Sequence, residues 1–280
     1  MSGIYAFLDA VLPIEALRFS FMKNAFCAIL LLTPLLGLLG TMAVNQQMAF
    51  FSDALGHSAL TGIGLGIILG VGNDLVSMLV FGILWAVLIS LIKHTGWAST
   101  DTVISVFSST SVALGLLILS RGGSFAKYSS LLIGDVLAVT PQDLLYLLIA
   151  LAVGVALWMV IYNRLLLTGI NPSLARSRGV HTRWMEIAFM VMVAVAVMLA
   201  IRWVGVMLIN ALLILPAAAG RNLASNSRQH ALWSVGIAMV SGVAGLFASY
   251  AFDTSAGAAI VLCAAVCYAL SLAGRLWRKK

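Results

Sequence analysis

Charge is the scarcest commodity in this chain. Asp, Glu, Lys and Arg together make up 9% of 280 residues. A soluble domain carries roughly 25%, so a water-facing surface cannot be built from this composition. Cysteine is almost as rare. Cys27, Cys263 and Cys267 all fall inside apolar runs, which excludes a disulfide framework. Cys263 and Cys267 are four apart on one predicted helix, readable as small packing residues or as a metal pair. No GxxxxGK(S/T) phosphate loop occurs, so the chain does not bind ATP by itself in the usual way. No Ser-His-Asp or Cys-His arrangement stands in a soluble setting, which argues against an enzyme. Internal repeats and low-complexity tracts are also missing. The balance of 16 basic against 9 acidic residues sits in short clusters rather than on one continuous face, which excludes nucleic-acid binding.

What is present is hydrophobic length. Apolar residues fill 62% of positions and the mean hydropathy is +1.09. A spanning helix needs about 20 mostly apolar residues. Runs of that kind occupy 24–44, 46–72, 75–92, 102–120, 141–163, 184–202, 205–220, 231–251 and 256–274. The seventh is short and contains Pro216, so a kinked or broken helix is expected there. The fold class is therefore all-α, a polytopic membrane helix bundle of eight to nine spans. Residues 1–22 read as an interfacial N-terminal helix, with Phe7, Leu8, Val11, Leu12, Ile14, Leu17 and Phe21 at helical spacing; they do not look like a cleaved signal. Residues 23–280 form one transmembrane domain.

Loop charges orient it. Arg164, Arg176, Arg178 and Arg183 fill the loop after the fifth run, Arg221 and Arg228 follow the seventh, and the tail carries Arg275, Arg278, Lys279 and Lys280. Basic loops stay cytoplasmic, so the C-terminus is expected inside and the N-terminus outside. Arg121 and Lys127 then fall outside, against the rule. Their segment contains YSSLLIGDVLAV (128–139), too short to span, and is expected to dip back where protein or a water cavity can receive it.

The second run holds FSDALGHSALTG (51–62). Residues four apart share a helix face, so Asp53, His57 and Thr61 point the same way. A carboxylate and an imidazole one turn apart can hold one ion, and this nitrogen–oxygen pair suits zinc, manganese or iron better than alkali ions. An acid in hydrocarbon is costly and tends to face a pathway. The plainer reading is that Ser52 or Asp53 caps a helix beginning there, with His57 bonded to a neighbour. Ala54, Ser58, Gly62, Gly66 and Gly70 recur every four residues and predict close helix packing. In the basic loop 164–183, Asn171 before Pro172 is a helix-start signal. Ser173 to Ser177 spans about one and a half turns, and Gly179 can end it. Such a helix suits docking onto a cytoplasmic protein, or is a solvated connection.

Four stretches together resemble the permease subunits of ABC-type zinc, manganese and iron importers, over residues 22–274. They are SDALGHSALTGIGLG (52–66), similar to the family's GDALSHAVLPGIALG, then TVISVFSSTSVALGLLIL (102–119), GINPSLARSRGV (169–180) and VGVMLINALLILPAAAGRNLA (204–224). The resemblance implies a permease homodimer in the bacterial inner membrane, in contact with lipid. It implies two cytoplasmic ATPase subunits and an extracytoplasmic metal-binding protein. No covalently bound cofactor is implied, only a transported divalent metal. Asp53 and His57 match the family's metal-contacting positions. Asn171, Pro172, Ser173, Leu174, Ala175 and Gly179 match its ATPase-coupling segment. Two departures stand out: Asn45, Gln46 and Gln47 replace a usual Arg-Arg, and the outer turn at Asp253–Gly257 lacks the usual Pro. Asp135 and Asn210 are further candidate path ligands. The rival readings are a permease for a metal chelate or siderophore, and a gradient-driven secondary transporter. The latter calls for an inverted repeat and more embedded charge.

Overall fold

The structure, a computed structural model, describes residues 15–121, 128, 134 and 136–278. Most of the expected N-terminal interfacial helix lies outside these residues, as do Lys127, Asp135 and much of 122–133. A short 3-10 turn spans Glu15–Arg18. Ten α-helices and no strand follow among the described residues: α1 (Ser20–Asn45), α2 (Phe51–Ile68), α3 (Asp74–Lys93), α4 (Thr100–Arg121), α5 (Pro141–Ile170), α6 (Pro172–Ser177), α7 (Thr182–Val204), α8 (Val206–Leu223), α9 (Ser227–Ala251) and α10 (Ala256–Arg278). Eight are long and apolar enough to cross a bilayer. The ninth long helix, α2, has 18 residues, and Asp53, His57 and its glycines dilute its hydropathy. Where Pro216 led to the expectation of a kinked or broken helix, the helix is unbroken from Val206 to Leu223.

Helix boundaries follow from local chemistry. Asn73, Asn171 and Asn226 cap α3, α6 and α9, each side-chain oxygen accepting from backbone N–H groups of the first turn. Thr140 and Asp143 make a reciprocal capping box at the start of α5. Four helices end on a left-handed residue, with the next N–H bonding five residues back: Met48 to Ala43, Val71 to Gly66, Val180 to Ala175 and Thr254 to Ser249. The left-handed residues are Gln47, Gly70, Gly179 and Asp253. Gln47 therefore cuts the long 46–72 run short, and Gly70 is a helix terminator rather than a member of the packing row.

The chain folds as two compact units. The first comprises the described parts of Met1–Thr41, Gly134–Val153 and Trp203–Lys280. Within it α8, α9 and α10 pack on one another. Backbones come very close: a Cβ on Gly40 would sit 1.8 Å from the Leu213 carbonyl oxygen, and one on Gly245 would sit 2.3 Å from the Ile260 Cα. Buried His230 donates from Nε2 to the Ala217 carbonyl at 2.9 Å, joining α9 to α8. Asn222, Ser271 and Arg275 join the ends of α8 and α10.

The second unit comprises the described parts of Met42–Ile133 and Gly154–Arg202. Here α2 packs between α3 and α4. Gly62 and Gly66 meet α3; a Cβ there would stand 3.1 Å from the Met78 Cα and 2.2 Å from the Ser77 Oγ respectively. Gly115 of α4 admits Thr61, whose Oγ1 would be 2.9 Å from an added Cβ. This is small-residue packing that lets helices approach without a hydrophobic drive.

Gly40→Ala is expected to destabilise the folded chain by about 2 kcal/mol or more, because backbone rather than a flexible side chain blocks the new methyl. Gly236→Ala, where nothing lies within 4 Å, is expected to leave the thermal midpoint unchanged or slightly raised. Equal midpoints for the two variants in detergent would contradict the packing described.

Candidate metal path and docking segment

The small residues of α2 decide what that helix can present. From Phe51 to Gly66, every residue is buried except Asp53, His57 and Leu65, which are half-buried. His57 Nε2 lies 3.6 Å from Asp53 Oδ2, one helical turn away. The His57 side chain is 32% exposed and that of Asp53 45%, so an ion could reach both. Two ligands about 2.1 Å from a zinc-like ion at the tetrahedral angle stand about 3.4 Å apart. The observed pair is close to that separation without rearrangement.

Thr61, expected on the same face, is not available. Its hydroxyl donates to the Ser111 carbonyl at 2.5 Å and the residue is fully buried. The capping alternative also fails in detail. The cap position is Phe50, which makes no side-chain cap bond, and Ser52 and Asp53 lie inside the first turn. An acid there complements the positive end of the helix dipole, so Asp53 serves the helix as well as facing His57. Among the described residues no group of three or more His, Cys, Asp and Glu side chains could hold a metal. Cys263 and Cys267 are half-buried free thiols. Asn210 is half-buried in α8, and Asp135 lies outside the described residues.

The segment from Asn171 to Gly179 has the predicted local form. Asn171 Oδ1 accepts from the N–H groups of Ser173 and Leu174 at 3.1 and 3.0 Å. Pro172 opens the helix, Ala175 is buried, and Gly179 takes φ +74°. Asn171, Pro172, Ser173 and Leu174 are exposed. Two arrangements were not legible beforehand. Gln46, in the turn entering α2, donates from Nε2 to the Leu165 carbonyl at 3.0 Å and stands 3.5 Å from Thr168 Oγ1. It thereby ties the turn before the Asp53–His57 helix to the last turns of α5, six residues before Asn171 at Leu165. Glu186 of α7 contacts Lys93 Nζ and lies 3.1 Å from His94 Nε2, clamping α7 to the end of α3. Neither pairing has a spacing that sequence alone could reveal.

Comparisons with known proteins agree on one family. The model of the ABC 3 transport family matches residues 18–275. The high-affinity zinc uptake system membrane protein ZnuB of Haemophilus influenzae is 31% identical over 84% of this chain and 90% of its own length. The manganese import system permease protein ScaB of Streptococcus gordonii is 31% identical over 90% of this chain and 91% of its own. Among solved structures, PsaBC from Streptococcus pneumoniae in complex with Fab superposes with a TM-score of 0.79 at 28% identity, covering 97% of this chain and 95% of that one. An inward-facing putative metal-chelate type ABC transporter shares the fold, with a TM-score of 0.68 at 14% identity. With its apolar helices and these motifs, this multi-pass membrane chain belongs to the ABC 3 transport family.

Proposed function

We propose that this chain is the membrane-spanning subunit of an ATP-driven importer that passes zinc, manganese or iron into the cytoplasm. The half-exposed Asp53–His57 pair, on a helix whose other residues from Phe51 to Gly64 are buried, carries the reading. Such a pair is expensive to place in a membrane, and a polar cargo that meets both groups accounts for its position. Two donors hold an ion loosely, leaving its remaining positions to water. Conduction needs that compromise, binding firm enough to admit the ion and weak enough to release it. The names of ZnuB and ScaB support a zinc or manganese cargo. First-row metals share these ligand types, so an extracytoplasmic metal-binding protein is the natural place for selection.

ATP hydrolysis falls to a separate cytoplasmic ATPase pair, docked on α6 of a permease homodimer in the bacterial inner membrane with the C-terminus inside. The exposed, preformed helix from Asn171 to Gly179 supports this docking. The Gln46 link gives it a route inward, because displacing the end of α5 pulls on the turn that starts the metal helix. Closure of the ATPases on ATP then tilts the permease halves, and the path alternates between outside and inside.

In proteoliposomes holding the permease with its ATPase and binding protein, Asp53→Ala and His57→Ala are each expected to lower metal uptake about tenfold or more. Thr61→Val, which removes a packing hydrogen bond worth about 1 kcal/mol, is expected to leave uptake in place. Uptake at the parent rate in either ligand variant refutes the path assignment. For the docking segment, Asn171→Ala removes a cap worth about 1 kcal/mol from a six-residue helix. It is expected to reduce the ATPase stimulation that accompanies transport, whereas Asn171→Asp keeps a capping oxygen and most of the stimulation. Full stimulation in Asn171→Ala would remove the docking assignment.

A further inference from the structure

The arginine-bearing end of the second unit holds charge that the metal path does not use. Arg164 of α5, the turn from Arg178 to His181 that follows α6, and the first turn of α7 surround an open cavity of about 420 Å³, which Trp184 also lines. A neighbouring cavity of about 360 Å³ shares the Gly179–His181 wall and adds Arg176 and Arg183. Among the described residues no carboxylate lines either one. Glu186 is two residues beyond Trp184 but is engaged by Lys93 and His94. Among the described residues, Arg164, Arg178 and Arg183 form no ion pair. Four guanidinium groups gathered around joined cavities repel one another and call for an anion. Their planar forks match the oxygens of a phosphate.

The surroundings choose the kind of phosphate. Arg164 lies within α5, six residues before its end, rather than on a water-facing tip. Four and seven residues back on the same face, Val160 and Leu157 are 71% and 45% exposed. Trp184, 66% exposed, flanks the cavity at the start of α7, a position where indoles sit at headgroup level. A cationic cavity above an exposed apolar stripe has the shape of an amphiphile with a negative head. We propose that this cavity binds the phosphate headgroup of an anionic phospholipid, whose acyl chains lie along the Leu157–Val160 face of α5. The proposal does not depend on which metal is carried or on which way the chain faces.

Native mass spectrometry of the full chain in detergent, titrated with phosphatidylglycerol or phosphatidylcholine, tests it. One phosphatidylglycerol is expected to bind roughly 30-fold more tightly than phosphatidylcholine, as two arginine contacts would give. Arg164→Gln is expected to weaken that lipid roughly fivefold, and Arg164→Lys to restore most of the loss. Phosphatidylcholine binding, unchanged across the variants, reports that each has folded. Millimolar inorganic phosphate is expected to leave the bound lipid in place. Displacement by phosphate alone would make this a free-anion site and overturn the lipid assignment. So would an unchanged phosphatidylglycerol preference in Arg164→Glu, above all if that variant no longer copurified with the ATPase, which would mark the basic face as a protein interface.

Discussion

Close backbone approach at α2 is the constraint on which the rest of the second unit depends. Gly62 and Gly66 bring α3 against the helix, and Gly115 brings α4 against Thr61. In a bilayer no hydrophobic drive pulls helices together, so small residues supply the contact area instead. Burial then removes nearly every side chain of α2 from view. What remains accessible on its main length is an acid, an imidazole and Leu65. The same packing that stabilises the helix thus selects the Asp53–His57 pair as its polar face and holds the two groups one turn apart.

Two further interactions connect that face to the arginine-rich end of the unit. Gln46 fixes the turn entering α2 to the end of α5, and Glu186 fixes α7 to the end of α3. The segment between α5 and α7 is α6, so the proposed docking helix is framed by two elements that are each tied back into the unit. The cap on Asn171 and the left-handed Gly179 keep α6 preformed, so little ordering entropy would oppose the proposed docking.

Much of this was legible in the sequence because membrane helices write their length in apolar runs. Seven predicted runs coincide with long helices to within four residues at each end, the 141–163 run stops seven residues short of the end of α5, and α6 was announced by Asn171, Pro172 and Gly179. The shortfalls have local causes. The 46–72 run hides two left-handed terminators; one is Gln47, a residue type that does not advertise a helix end. Gly70 fits the four-residue spacing of the packing row but ends the helix instead. Thr61 fits the Asp53 face by spacing, yet its hydroxyl is held by Ser111, a bond between residues 50 apart in the chain. Pro216 sits in an unbroken helix, since packing in the first unit tolerates one lost hydrogen bond. Long-range polar pairs such as Gln46–Leu165 leave no periodic trace, so only the structure exposes them.

The central claim is that one imidazole and one carboxylate of α2 meet the cargo together. Electron–nuclear double resonance on the full chain loaded with Mn²⁺ reports the nuclei bound to the ion directly. Coupling to a single imidazole nitrogen is expected, disappearing in His57→Gln and persisting in Thr61→Val. A manganese signal with no nitrogen coupling, or one that survives in His57→Gln, would contradict it.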